Sequence, residues 1–181
     1  PREMTERELL NNLPEVERAA ANLNKKIPTE ASNLILRNSE IVKKSSKVYA
    51  VGEILDTNTK GRWAKENPYL HKRAVKGGTG WGVQMAVDAK KPVYVFDQVK
   101  NSWYIFNYKA KGGGKFEAMK GTPDLVQRPG LIGARRLTKA GKEAMKEIIA
   151  KAYPEKFPKV TPRVKATVEG AIDERLNKQN E

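Results

Sequence analysis

Three glycines stand within four positions, Gly77, Gly78 and Gly80, directly before an apolar segment. Glycine allows backbone conformations and close approaches that other side chains block. A helix that begins near Thr79 would present free N–H groups and the positive end of its dipole to an anion. The segment PVYVFD (92–97) then predicts a buried strand. Glycine turn, helix and strand in this order are typical of a phosphate-binding turn in an α/β sheet.

A second glycine segment, GLIGARRL, lies later in the chain. Gly130 and Gly133 precede Arg135 and Arg136, and guanidinium groups suit bidentate phosphate binding. The next helix is expected to be capped near Thr138. The segment is therefore a candidate second phosphate turn, and an exposed helix start is the alternative interpretation.

Two carboxylates are candidates for catalysis. Asp97 ends a predicted strand, the position at which open α/β sheets bind their ligands. Glu53 closes the predicted strand KVYAVGEI. Trp81 is interpreted as a core or pocket-wall residue, or as a cover for a bound base. His71 has no neighbouring carboxylate or nucleophile in the sequence, so it is interpreted as a loop residue.

The composition excludes several kinds of chemistry. The chain of 181 residues has no cysteine and one histidine, His71. Disulfides, thiolate nucleophiles and cysteine-ligated metals are therefore excluded, and neither a metal nor a cofactor is predicted. No segment approaches the roughly 20 apolar residues that span a bilayer. We expect a soluble, cytoplasmic protein.

The positive charge is concentrated around the glycine segments. Residues 24–142 carry a net charge of +15, against +14 for the whole chain, because the first 23 residues carry −2. Such a field attracts phosphorylated small molecules and nucleic acid alike, and it also serves solubility. The charge therefore leaves both kinds of partner open.

The order of elements predicts an α/β fold, with a Rossmann-like, mostly parallel sheet between helices and a β-hairpin insertion. Three regions are expected: an N-terminal helical extension (1–28), the α/β domain (29–153), and a Pro-rich connector with a helix (154–181). The predicted elements are helices at 5–23, 29–44, 81–89, 138 onward and 163–176, strands at 47–54 and 92–97, a hairpin with its turn at 112–114, and a polar loop at 55–76.

Two segments carry a resemblance to a known family, over about residues 30–150. LRNSEIVKKSSKVYAVG (36–52) resembles the arginine-containing helix and strand of the LOG-like, or lysine-decarboxylase-like, proteins of the SLOG superfamily. GGTGWGVQ (77–84) is similar to their PGGxGTxxE motif. GLIGARRL (130–137) is similar to the other glycine turn of this superfamily, and its late position resembles a circularly permuted YpsA-like order.

The resemblance implies a nucleotide site that includes Arg37, Gln84 and the two glycine segments, and Trp81 or an aromatic residue of the 55–76 loop is interpreted as the cover for the base. Gln84 occupies the position of the family's catalytic glutamate, and an amide cannot act as a carboxylate base. Sensing or sequestration of a nucleotide is therefore favoured over its hydrolysis. An N-glycosidase or glycosyltransferase that uses Asp97 or Glu53, and DprA-like binding of single-stranded nucleic acid, are the alternatives. A homodimer is also implied.

Overall fold

The structure, a computed structural model, describes residues 5–155. These residues form a five-stranded sheet with strand order β4-β3-β2-β1-β5 and helices on both faces. The helices are α1 (Glu6–Leu10), α2 (Leu13–Leu23), α3 (Ser32–Lys44), α4 (Arg62–Glu66), a 3₁₀ helix (Pro68–Leu70), α5 (Thr79–Asp88) and α6 (Lys139–Ala152), and the strands are β1 (Lys47–Gly52), β2 (Val93–Asp97), β3 (Ser102–Asn107), β4 (Lys115–Ala118) and β5 (Pro129–Ile132).

The central strand β1 pairs in parallel with β2 on one side and β5 on the other, so that Ala50 lies between Val95 and Ile132. β3 and β4 extend the β2 side as antiparallel strands. Every residue of β1 after Lys47 is buried, as expected for a parallel strand covered on both faces. The predicted α/β fold with a mostly parallel, Rossmann-like core is confirmed.

Alternate side chains of β1 face two different helical layers. Val48 and Ala50 belong to a core that includes residues of α2, α3 and α5. Tyr49 and Val51 pack instead with Ala144 and Ile148 of α6. Successive side chains on a strand point to opposite faces, so the sheet lies between the two layers.

The N-terminal segment differs from the single helix predicted over residues 5–23. The chain forms α1 and α2, separated at Asn11 and Asn12, and Pro14 lies in the first turn of α2. A proline fits the first turn of a helix but disrupts an interior, so the break precedes it. Val16, Ala19, Ala20 and Leu23 are the buried residues of α2. This helix therefore packs on the α/β domain.

The polar segment predicted as a loop over 55–76 contains α4 and the 3₁₀ helix, and its two ends are joined. The N–H of Leu55 donates to the carbonyl of Ala74 at 2.9 Å, and the N–H of Lys76 donates to the carbonyl of Glu53 at 2.8 Å. Trp63 Nε1 fixes the segment to α2 by donating to the Leu23 carbonyl at 2.7 Å. Segment 55–76 therefore returns to the end of β1, and the glycine turn that follows it lies next to that strand end.

The last described helix begins as predicted. Thr138 is its N-cap, and its hydroxyl accepts a hydrogen bond from the N–H of Gly141 at 3.0 Å. The helix predicted over 163–176 lies outside the described residues. No helix within residues 5–155 combines the length and apolarity needed to cross a bilayer.

Candidate ligand site at the carboxyl edge of the sheet

The carboxyl ends of the three parallel strands lie along one edge of the sheet, at Gly52, Asp97 and Ile132. The chain after β1 leads into α5 on one face, and the chain after β5 leads into α6 on the opposite face. Diverging connections of this kind open a crevice beyond the strand ends, where open α/β sheets bind ligands. We call this region the carboxyl edge.

Gly77 and Gly78, the first half of the glycine motif, are exposed at the carboxyl edge. Gly77 has a φ of +76°, in the left-handed region that favours glycine. Gly78 has an ordinary φ of −62° and immediately precedes α5. Both residues are exposed, and a Cβ at either would meet no atom within 4 Å. The N–H groups of Gly80 and Trp81 donate to the carbonyls of Gly77 (3.1 Å) and Gly78 (3.2 Å), so the N–H groups of Gly78 and Thr79 are the ones left to bind an anion here.

The second half of the motif packs inside the protein. A Cβ at Gly80 would lie 1.9 Å from the carbonyl oxygen of Val75, and one at Gly82 would lie 2.4 Å from Cδ1 of Ile132. Glycine at these positions lets α5 approach the preceding segment and β5 closely. Gly80 was predicted to bind phosphate, and its environment explains it instead as a packing residue.

Only the part of the second glycine segment from Gly133 onward lies at the carboxyl edge. The hydroxyl of Thr79 donates to the carbonyl of Gly133 at 3.1 Å, which joins the two segments. Gly130 lies in β5 opposite Val48, and its Cβ would lie 2.9 Å from Ser45 Oγ. Gly130 precedes Gly133 by three residues, which corresponds to about 10 Å along a strand. Gly130 is therefore a strand residue toward the opposite edge and contributes to no turn.

Arg135 and Arg136 follow Gly133 and have exposed side chains. Their backbone is fixed by Gln98, which the sequence interpretation missed. Gln98 Nε2 donates to the carbonyl of Arg136 at 3.1 Å, and Gln98 Oε1 accepts from the N–H of Thr138 at 2.6 Å. An amide one residue after a strand was the only sequence signal for this contact. The two guanidinium groups thus extend from an anchored segment.

The side chains of three further predicted site residues make no described contact with the open glycines. Arg37 is exposed on α3 and has no hydrogen bond or ion pair within residues 5–155. Trp81 is 4% exposed, in agreement with its interpretation as a core residue. Gln84 is 8% exposed and donates to Asp88 Oδ1 at 2.8 Å. No described side-chain contact therefore connects Arg37, Trp81 or Gln84 with the crevice.

The two candidate catalytic carboxylates have different environments. Asp97 is 1% exposed and accepts N–H groups from Ile54 (3.2 Å), Val99 (2.9 Å) and Lys100 (3.1 Å). Its carboxylate thus fixes the ends of β1 and β2. Glu53 is half-buried at the same edge, and within residues 5–155 its carboxylate has no hydrogen-bond partner. Of these two carboxylates, only that of Glu53 has oxygen atoms without a hydrogen-bond partner in the described part of the chain.

Two cavities lie away from the open glycines. One, of about 300 Å³, is lined by Lys72, Lys100, Tyr104 and β4. Beside it, Lys100 Nζ lies 3.4 Å from Asp56 Oδ2, and a hydrogen bond from the N–H of Asn58 together with this ammonium lowers the pKa of Asp56. The other cavity, of about 450 Å³, lies at the far end of α5. Gly77, Gly78 and Gly133 are themselves exposed, so this part of the carboxyl edge is an open surface.

Fold and site together define a Rossmann-like α/β protein with a candidate anion site at the carboxyl edge. Comparison with family models, with curated proteins and with solved structures finds no match to this chain. Within the described range of 5–155, no three His, Cys, Asp or Glu side chains gather in a group that would hold a metal ion.

Proposed function

We propose that the protein binds the phosphate of a nucleotide or nucleotide-derived ligand at the carboxyl edge, between Gly77–Gly78 and Gly133–Arg136. One observation carries this proposal. The hydrogen bond from Thr79 to Gly133 joins two glycine segments, 54 residues apart in sequence, at the open end of a helix. Both segments were selected from the sequence as phosphate turns, and their proximity supports a single site.

The chemistry of the edge suits an anion. The N–H groups and positive dipole end of α5 attract negative charge, and Arg135 and Arg136 add two exposed guanidinium groups. Gly78 adds an independent argument, because neither its φ nor the space around a Cβ there requires glycine. Because packing does not require glycine at position 78, the lack of a side chain there has another consequence: the amino terminus of α5 stays accessible.

Binding for sensing or sequestration is favoured over catalysis. Asp97 has its carboxylate occupied by three backbone N–H groups, and Gln84 is bonded to Asp88. Neither side chain is free to act on a ligand at the edge. The relation to the SLOG superfamily is proposed on the motifs alone.

The test is calorimetric titration of AMP, GMP, cyclic nucleotides and ADP-ribose into the wild type and two variants of Gly78. Gly78→Asp places a carboxylate at the helix N-terminus, where it should stabilise the fold by up to about 1 kcal/mol. The same carboxylate should weaken nucleotide binding at least tenfold. Gly78→Ala is the matched control and should preserve binding within a factor of about three.

Two results would contradict the proposal: no binding of any nucleotide at millimolar concentration, or equal affinity in Gly78→Asp and Gly78→Ala. Single-stranded oligonucleotides form a further arm of the titration. If they bind with a steep salt dependence while mononucleotides do not, the basic surface serves nucleic acid instead.

An N-glycosidase is the second candidate, and the half-buried carboxylate of Glu53 at the same edge favours it. A carboxylate beside a bound nucleotide can stabilise the positive charge that develops on the sugar as the base leaves. Incubation with nucleotides should then release free base, detectable by chromatography. Glu53→Gln should abolish that release without abolishing binding, and absence of base release in the wild type rules this candidate out.

A further inference from the structure

The two cavities lie side by side on one face of the β3–β4 hairpin. Tyr104 lines the smaller cavity, and Phe106, two residues further along β3, lines the larger one. Residues i and i+2 of a strand point to the same face and lie about 7 Å apart. Between the cavities, the N–H of Phe116 in β4 donates to the carbonyl of Lys72 at 2.6 Å. Lys72 lines the smaller cavity, and the next residue, Arg73, lines the larger.

We call the two cavities together the hairpin groove. β3 has six residues, so the groove follows this strand for about 20 Å. None of the residues that form the proposed phosphate site, Gly77–Gly78 and Gly133–Arg136, lines it. The hairpin groove is therefore a second surface, and the proposed function gives it no role.

Cations outnumber carboxylates in the lining of the hairpin groove. Two carboxylates line it, Asp88 and Glu117, and both accept hydrogen bonds from amide side chains. Of the lining cations, only Lys100 forms an ion pair within residues 5–155, with Asp56 at 3.4 Å. Six cations line the groove, three in each cavity: Lys72, Lys100 and Lys115, and Arg18, Arg73 and Lys90. The groove therefore attracts anions.

Two of these cations are held in place by the segments around them. Gly113 in the hairpin turn has a φ of +90°, and a Cβ there would lie 2.7 Å from Nη2 of Arg73. Glycine thus both permits the turn and leaves space for the guanidinium group. Nζ of Lys100 lies 5.6 Å from the centre of the Tyr104 ring. One cation in each cavity is therefore positioned by the hairpin.

Aromatic side chains indicate which kind of anion fits the groove. Tyr69 is 53% exposed and lines the larger cavity, whereas Tyr104 lines the smaller one. In single-stranded nucleic acid, bases stack on such rings while cations bind the phosphates. A membrane surface would need several exposed apolar side chains to insert. Among the exposed large apolar residues of the described chain, only Tyr69 lines the groove.

We propose that the hairpin groove binds single-stranded nucleic acid without preference for sequence. The six cations bind successive phosphates, and Tyr69 and Tyr104 stack on bases. Exposed cations select no particular base, and every base has a face that can stack. At about 3.4 Å for each nucleotide of a stacked strand, the groove holds about six nucleotides. This binding does not depend on the nucleotide site at the carboxyl edge.

The experiment measures the fluorescence anisotropy of a twelve-nucleotide oligothymidylate with a 3′ label and a 5′ hydroxyl, so that no free terminal phosphate can enter the glycine turn. We expect saturable binding at about 50 mM salt and at least tenfold weaker binding at about 200 mM, because phosphate contacts release counterions. An oligothymidylate of three nucleotides, shorter than the groove, should bind at least tenfold more weakly. Polyglutamate of matched charge should displace the labelled strand at least tenfold less effectively, because it has no bases to stack.

Lys72→Asn and Lys90→Asn test the charges of the groove. Both lysines have left-handed backbone, with φ of +65° and +58°, and asparagine adopts this conformation readily. Each variant should weaken binding at least threefold and reduce the salt slope by about 0.7, without lowering the midpoint of urea unfolding. Arg128→Asn is the matched control, because Arg128 is exposed, has a φ of +55° and precedes β5 at the opposite edge of the sheet. It should change the affinity by less than about twofold.

Tyr69→Ala tests the stacking. It should weaken binding at least fivefold and leave the salt slope unchanged, because stacking on a ring releases no counterion. Tyr69→Phe keeps the ring and should keep the wild-type affinity within about twofold. The exposure of Tyr69 makes neither substitution a threat to the core, and circular dichroism checks the fold of every variant.

Three results would overturn the proposal at the level of the groove. The first is the absence of saturable binding at low salt. The second is an equal loss of affinity in Arg128→Asn and in the two lysine variants, which would make the attraction a property of the net charge. The third is binding that survives in both lysine variants but is lost in Gly78→Asp, which would assign the strand to the glycine turn.

Two further results would overturn the choice of partner. If polyglutamate displaces the strand as effectively as unlabelled oligothymidylate, the groove recognises negative charge alone. If Tyr69→Ala binds as the wild type does, bases do not stack on Tyr69.

Discussion

The two ends of α5 offer different chemistry and left different signals in the sequence. At the amino end, Gly77 and Gly78 expose backbone, and the attraction for an anion comes from N–H groups and a helix dipole. At the carboxyl end, Asp88 meets side chains from α2 and from its own helix. Backbone sites depend on a local glycine pattern, whereas side-chain sites depend on contacts between distant segments. One helix therefore has exposed backbone at its amino end and a set of side-chain hydrogen bonds at its carboxyl end.

The largest expected effect is the difference in stability between substitutions at Gly80 and at Gly78. Gly80→Ala places a Cβ against a backbone carbonyl that has no rotamer to change, so we expect destabilisation of about 3 kcal/mol. Gly78→Ala should change the free energy of unfolding by no more than about 0.5 kcal/mol. Urea unfolding of both variants measures the difference. Equal effects would mean that the motif does not divide into an open and a packed half.

A smaller effect is expected at Asp97, beside the amino end of α5. Asp97→Asn removes the charge that accepts three backbone N–H groups, and hydrogen bonds to charged groups contribute about 1.5–3 kcal/mol. We expect a loss of about 2 kcal/mol in urea unfolding, with nucleotide affinity retained below the unfolding midpoint. Unchanged stability together with loss of base release would instead make Asp97 catalytic.

The smallest effect concerns Tyr108, near the carboxyl end of α5. Burial, and then the negative charge of Asp88, raise the pKa of Tyr108 from 10.0 to about 12. The unfolded chain loses this proton at lower pH than the folded protein does. Tyr108 therefore stabilises the fold fully below pH 10.0, and this contribution is lost as pH rises to about 12.

Ultraviolet titration of tyrosinate in the wild type, Asp88→Asn and Tyr108→Phe tests this assignment. Tyr108→Phe identifies the Tyr108 signal by its absence. In Asp88→Asn, the pKa of Tyr108 should fall but stay above 10.0, because burial remains. A pKa of Tyr108 that does not move would contradict the charge of Asp88 as a cause of the shift.

Local patterns predicted the local features of the fold well. The apolar runs of β1 and β2, the cap at Thr138 and the glycine turn before α5 all lie where the sequence indicated them. Each depends on a few consecutive residues, because burial, capping and positive φ are set within one element. The break before α2 was missed because an amphipathic pattern continues across it.

The sequence did not specify distances between segments. Gly130 and Gly133 look equivalent in the sequence, but β5 carries them toward opposite edges of the sheet. Trp81 and Gln84 follow the open glycines closely, but the turn of α5 directs them into the core and toward Asp88. Spacing along the chain alone does not specify which face of a packed helix meets which neighbour.

The sequence by itself determined that this is an α/β protein with a glycine-initiated helix in a basic region, because glycine content, apolar runs and charge are properties of the chain. Only the tertiary structure decided which glycines are free. It placed Gly77 and Gly78 in open space, Gly80 against a carbonyl, and Asp88 in hydrogen bonds with Asn22 and Gln84. The physical reason is that hydrogen-bond satisfaction and steric contact depend on neighbours that folding brings together from distant positions.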